Sequence, residues 1–262
     1  MDTRWDTAAY EAFSDLRLRP ALDLLARVFS VPEGPVVDLG CGAGAAAGAL
    51  RARFADAHMV GVDSSAEMLA KAGDAGHYDT LDRADIADWR ATQAPALIFS
   101  NAALHWLPEH EALIPRLFAM LAPGGMLAVQ MPAQLSRPSH RLMIAAAARV
   151  RPDRFADWSP FAGPLHLPEY AAILSGAATI DLWETEYFQH LAPSPDGAHP
   201  VRQFVSSTGG RLILSALDAR ETATFVAEWE AGLRAAYPLA ADGSCWFPFR
   251  RLFFVASRAK PA

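Results

Sequence analysis

"VVDLGCGAGAAAGAL", residues 36–50, is the stretch from which the fold can be read. An apolar run interrupted by one acid, Asp38, leads into glycines at 40, 42 and 44, and an alanine-rich segment follows. A strand buried on both faces of a sheet reads as such a run, and a glycine turn into a helix is how parallel strands are connected. The stretch therefore predicts a strand, a tight loop and a helix.

Outward from it the same rhythm repeats. "HMVGVD" (58–63) reads as a second strand, and Ser64 with Glu67 has the spacing of a capping box, so a helix is expected to start there. "ALIFSN" (96–101) reads as a strand, "LIPRLFAMLAPGG" (113–125) as an amphipathic helix with its stop, and "MLAVQMP" (126–132) as the next strand. Alternation of this kind predicts an α/β, Rossmann-like doubly wound, mainly parallel sheet, with ligands at the carboxyl ends of its strands. Beyond 132 the rhythm changes. "SHRLMIAAAARV" (139–150) and "PEYAAILSG" (168–176) are helical, and "TIDLWETEYF" (179–188) alternates like a strand. Asp218 and Glu221 repeat the capping spacing before a helix, and "CWFPFRRLFFVASR" (245–258) returns as a strand. The expected organisation is an N-terminal helical lid (1–30), a core (31–132), a helical cap insertion (133–178) and a core strand (179–191). A second cap insertion (192–244) and a final core strand with its tail (245–262) complete it.

The 262 residues carry a net charge of -6 and 52% apolar residues, which suits a sizeable core and argues against nucleic acid as a partner. Two cysteines, Cys41 and Cys245, make no disulfide framework, and no apolar run approaches the roughly 20 residues of a membrane span. A cytoplasmic protein without a membrane partner is expected, as a monomer or weak homodimer. The histidines show no metal-ligand spacing, so no metal is expected.

The glycine loop fits two uses. Gly40, Gly42 and Ala45 match the dinucleotide fingerprint, whereas Gly40, Gly42 and Gly44 match the loop of S-adenosylmethionine enzymes. Asp38 separates the two, because a carboxylate beside the loop opposes a pyrophosphate and suits an ammonium and a sulfonium. Asp63 ends the second strand at the place of a ribose-binding acid. Asp85 and Ile86 suit an adenine amino group and ring, and Asn101 ends the fourth strand near the methyl donor.

In this order the motifs resemble the class I S-adenosylmethionine-dependent methyltransferases, over roughly residues 34–132. The resemblance implies a seven-stranded sheet whose last strand is antiparallel, and S-adenosylmethionine as cofactor. Its implied cofactor ligands are Trp5, Asp38, Gly40, Gly42, Gly44, Asp63, Ser64, Met68, Asp85, Ile86, Asn101, Ala103 and His105.

The flanks, "RWDTAAYEAFSDLRLRPALDLLARV", "SNAALHWLPEH", "LAVQMP" and "FVSSTGGRLIL", resemble the trans-aconitate 2-methyltransferase family. That narrower resemblance implies methyl transfer to a carboxylate of a small tricarboxylate. An ionised carboxylate needs no general base, so no catalytic acid–base residue is assigned and the expected catalysis is proximity and orientation. The other carboxylates call for arginine, and Arg19 in the N-terminal segment, Arg211 in the expected cap and Arg251 in the last strand region are the candidates, with Arg17 and Arg250 as rivals. Tyr10, His166 and Tyr187 are further candidates for the acceptor. Trp5 and Tyr10 belong to a segment expected to close over the cofactor, and "APSPDGAHPV" (192–201) reads as a long loop beside the cap.

Overall fold

The computed structural model of the chain describes residues 14–157, 163–206 and 209–260. One seven-stranded sheet runs through it, in the order β3-β2-β1-β4-β5-β7-β6. The strands are β1 (Val36–Leu39), β2 (Met59–Asp63), β3 (Thr80–Arg83), β4 (Leu97–Asn101), β5 (Met126–Pro132), β6 (Thr179–Leu191) and β7 (Cys245–Ser257). Strands β1 to β5 pair in parallel, and β7 lies antiparallel to β5. The chain lays β2 and β3 on one side of β1, then β4 and β5 on the other. The switch point, where a ligand crevice opens in such sheets, is therefore at the carboxyl ends of β1 and β4. This is the doubly wound architecture that the alternation predicted.

Two details differ from the sequence reading. Strand β3 was implied by the count of seven but not located: Thr80–Arg83 is a short, polar, partly exposed edge strand with no apolar run to announce it. Helix α3 is capped by Ser65, not by Ser64, and the Ser65 hydroxyl accepts from the Met68 N–H at 3.3 Å. The S-x-x-E spacing picked Ser64, but the helix starts one residue later, so Met68 stands at the third helical position and Ser64 is left exposed.

The chain divides into two compact units. The sheet unit takes residues 15–132, 163–185 and 251–260 of the described chain. It contains α1 (Ser14–Leu25, from Asp15 on), α2 (Ala47–Arg53), α3 (Ala66–Asp74), α4 (His110–Met120) and α7 (Leu167–Ile173). Leu39, Leu50, Met59, Phe99, Ile114, Leu117 and Leu127 are wholly buried, each contributing about 1.5–3 kcal/mol relative to exposure. Helix α7, expected within the cap insertion 133–178, belongs to this unit. Tyr170 explains why: its hydroxyl lies 2.5 Å from the His110 ring on α4, and its ring is 5.0 Å from Phe254 on β7.

The cap unit takes residues 133–157, 186–206 and 209–250 of the described chain. It contains α5 (Pro138–Val150), α6 (Pro152–Phe155), α8 (Pro200–Ser206), α9 (Gly210–Leu214) and α10 (Ala219–Ala236). Helix α10 starts at the capping box foreseen from Asp218 and Glu221. It buries Phe225, Trp229 and Leu233, whose four-residue spacing puts them on one face. The Trp229 indole N–H donates to the Ser139 carbonyl at 3.2 Å, which ties α10 to α5. Among the described residues, no helix is long and apolar enough to cross a membrane.

Candidate active site

Strand register decides which side chains share the functional face of the sheet. Asp38 pairs with Gly61 on β2 and with Phe99 on β4, Asn101 pairs with Gln130, and Arg251 pairs with Pro132. Successive side chains alternate between faces, so Asp63, Asp38, Asn101, Gln130 and Arg251 all lie on one face. The first four are at or near the carboxyl ends of their strands, and Arg251, mid-way along β7, is brought level with the end of β5 by its pairing with Pro132.

The loop after β1 is shaped by close approach. Gly40, Gly42 and Gly44 have φ of 79°, 54° and 83°. At Gly40 a side chain would collide with the Ala103 methyl and come within 3.3 Å of Ile86, so only glycine lets β1 end against those residues. At Gly42 an added Cβ would meet nothing within 4 Å, which leaves that backbone open to a ligand. Asp63 organises the loop: one carboxylate oxygen accepts from the Gly42 N–H and the other from the Ser65 N–H, both at 2.9 Å. Each oxygen keeps a further lone pair for a hydroxyl.

Asp38 is only 2% exposed and accepts a 2.7 Å hydrogen bond from the Tyr78 hydroxyl. Burial raises its carboxyl from 3.8 to about 6; the Tyr78 hydrogen bond opposes the rise and the Asp63 charge adds to it. Tyr78 was not singled out from the sequence. Its ring lies under the loop, 3.3 Å from where a Cβ on Gly44 would stand and 3.1 Å from one on Gly61. Cys41 is buried, and burial together with the Asp38 and Asp63 charges pushes its thiol up, which fits packing rather than nucleophilic use.

Asp85 is exposed, and its carboxylate accepts from the Ala87 N–H at 2.9 Å. Arg116, also missed in the sequence, pins this segment by donating to the carbonyls of Ile86 at 2.8 Å and Trp89 at 2.7 Å. Asn101 ends β4 with its Oδ1 buried and, among the described residues, without a hydrogen-bond partner. Ala103 and His105 follow at the start of a short 3₁₀ turn, with the His105 ring 4.9 Å from Trp106. Met68 is buried on α3. These residues fit an adenosylated cation. A buried oxygen without a donor, two acids beside an open glycine backbone and a carboxylate with spare lone pairs together suit an ammonium, a sulfonium and ribose hydroxyls.

The acceptor candidates are dispersed. Arg251 is 3% exposed, and its Nη1 donates to Gln130 Oε1 at 3.1 Å. Arg19 is exposed on α1 of the same unit. His166 is exposed too, and its backbone N–H donates to Glu169 at 2.8 Å where α7 begins. Arg211 on α9 and the buried Tyr187 on β6 belong to the cap unit. Arg250, one of the rivals, hydrogen-bonds to Ala133 and Ser136 within the cap unit. Trp5 and Tyr10 lie outside the described residues, and so does the side chain of Arg17.

The family model for a methyltransferase domain matches residues 10–170. Among curated relatives, trans-aconitate 2-methyltransferase of Methylobacterium nodulans is 44% identical, covering 98% of this chain and 99% of its own length. The protein of that name from Variovorax paradoxus is 43% identical, covering 97% and 98%. The chain belongs to the trans-aconitate 2-methyltransferase family. Solved structures agree on the fold. The YcgJ protein of Bacillus subtilis superposes with a TM-score of 0.58 at 14% identity, over 93% of this chain and all of that one. Phosphoethanolamine N-methyltransferase 2 of Haemonchus contortus gives 0.54 at 18% identity, over 92% of this chain and 53% of its own. As a member of the trans-aconitate 2-methyltransferase family the chain is a methyltransferase, and S-adenosylmethionine is its methyl donor.

Proposed function

We propose that the chain methylates one carboxylate of trans-aconitate, giving the monomethyl ester and S-adenosylhomocysteine. The observation that carries this reading is the kinship just described, which runs over nearly the whole chain and includes the flanks outside the cofactor core. Arg251 adds a physical reason. A guanidinium buried on the face that carries the cofactor residues is suited to an anionic acceptor, since its planar fork of donors matches a carboxylate.

S-adenosylmethionine supplies an electrophilic methyl group on a sulfonium. The acceptor carboxylate is ionised at pH 7 and attacks without a general base. The protein's part is then to hold the attacking oxygen roughly 3–3.5 Å from the methyl carbon, in line with the bond that breaks. We assign Asp63 to the ribose, Asp38 and Asn101 to the cationic end, and Asp85 with Ile86 to the adenine. For the acceptor we assign Arg251 first; Arg19 and Arg211 follow on the strength of their segments. Cytoplasmic location, a monomer or weak homodimer, and no nucleic-acid partner complete the reading, supported by the net charge of -6 and the sparse cysteines.

Labelled methyl transfer from S-adenosylmethionine to trans-aconitate tests it, with cis-aconitate, citrate and a neutral triester as comparisons. Transfer to trans-aconitate in preference to the others is expected. Transfer to none of the carboxylates rejects it.

A further inference from the structure

Gln130 is wholly buried near the carboxyl end of β5, beside Asn101 in register and two residue pairs along the ladder from Arg251 on β7. Its amide can be oriented by argument. Arginine has donors only, so the atom facing Arg251 Nη1 at 3.1 Å must be the oxygen, and the NH₂ group points elsewhere. That nitrogen is buried and has no hydrogen-bond partner among the described residues. An unsatisfied buried donor costs about 1–3 kcal/mol, and natural sites keep one where a ligand supplies the acceptor. The neighbouring orphan, Asn101 Oδ1, has the opposite polarity: it can only accept.

Across the shared face, in sheet order, the polar groups thus read Asp63, Asp38 and Asn101 Oδ1 as acceptors, then Gln130 Nε2 and Arg251 as donors. The sign changes between β4 and β5. Acceptors suit the cationic donor molecule and donors suit an anion, so this change marks the boundary between the two substrates.

The geometry points to Gln130 as an acceptor-binding residue: its Nε2 and the Arg251 guanidinium that its Oε1 orients together grip a carboxylate of the acceptor. This rests on the proposed carboxylate acceptor and extends it to a residue and a subsite. A single amide does two tasks here. It fixes the planar guanidinium fork, and it adds a neutral donor that recognises the anion without bringing a further charge into the buried face.

The test uses Gln130→Met, which keeps the side-chain length and removes both amide atoms, and Gln130→Glu, which keeps the shape and reverses the polarity at the orphan position. Full-length wild type and variants are loaded with S-adenosylhomocysteine and titrated calorimetrically with trans-aconitate and citrate. The KM and kcat of methyl transfer and the Kd for S-adenosylhomocysteine are measured alongside. Gln130→Met is expected to weaken acceptor binding roughly ten- to a hundred-fold, the range for hydrogen bonds to charged groups, with KM rising more than kcat falls. Gln130→Glu is expected to weaken it further, through like-charge repulsion. Cofactor affinity should stay within about twofold, and the melting temperature should fall only slightly, because Met removes the unsatisfied donor along with the oxygen that accepts from Arg251 Nη1. Unchanged acceptor binding in both variants overturns the inference and leaves the acceptor reading intact; so does parallel loss of acceptor and cofactor binding, the mark of a merely structural residue. Wild type that binds citrate but not trans-aconitate overturns the acceptor reading alone, and the variants are then judged on citrate. Wild type that binds neither anion overturns both.

Discussion

Replacing Asp38 with Asn should stabilise the cofactor-free protein and weaken cofactor binding. The wild-type carboxyl is buried and titrates at about 6 in place of the ordinary 3.8. Between those values the native state holds a proton that the unfolded chain has lost. The contribution of Asp38 to stability is therefore full below pH 3.8 and is lost as pH rises through about 6. At 1.36 kcal/mol per pH unit, the loss is about 3 kcal/mol at pH 7.5. Asparagine keeps the oxygen that accepts from Tyr78 and has no charge to desolvate. Urea unfolding should thus show the variant more stable by about 3 kcal/mol at pH 7.5 and by under about 1 kcal/mol at pH 4. In wild type, S-adenosylhomocysteine affinity should strengthen as pH rises through about 6, as Asp38 ionises to meet the ammonium. In the variant it should be weaker and nearly flat with pH. If the variant is destabilised by the same amount at both pH values, Asp38 is a structural hydrogen-bonding group and the charge argument is refuted.

Arg251→Ala should raise the KM for the acceptor at least tenfold while S-adenosylhomocysteine affinity stays within about twofold. Lysine should not rescue it, because a point charge lacks the planar fork that Gln130 orients. Asp63→Ala should weaken cofactor binding by about ten- to a hundred-fold by calorimetry and cost about 1–3 kcal/mol of stability, since the Gly42 and Ser65 N–H groups lose their acceptor. At saturating cofactor, its acceptor KM should be unchanged. Gly40→Ala combines a left-handed backbone with a collision against Ala103, so both melting temperature and cofactor binding should fall, the strain alone costing about 1–2 kcal/mol.

The residues proposed for the methyl donor could be picked out of the sequence because each signal is local. Asp38 with its glycines, Asp63 and Asn101 each sit at the end of a strand that announces itself by an apolar run, and parallel alternation sends those ends to one edge. What escaped the sequence acts over long separations. Tyr78 reaches Asp38 across 40 positions and Arg251 reaches Gln130 across 121, and no spacing rule links such pairs. Gln130 was hidden for a second reason: inside "LAVQMP" it reads as one polar residue in a buried strand, and only the register shows which face it takes. Arg19, Arg211 and Arg251 looked alike as sequence, yet the fold leaves Arg19 exposed, puts Arg211 in the cap unit and buries Arg251.

The insertion of β7 between β5 and β6 also dictates how the chain must be born. Strand β6 has β7 as its neighbour in the sheet, and β5 has β7 on its outer side. As the chain leaves the ribosome, both are therefore made before the strand that joins them, with residues 192–244 emerging in between. Through that interval β5 offers a bare, apolar sheet edge of the kind that pairs with other chains. The final seven pairings, from Pro132 with Arg251 to Met126 with Ser257, close that edge and bring in Arg251 at the same stroke. A nascent chain sets Arg251 beside Gln130 only when it becomes safe from self-association.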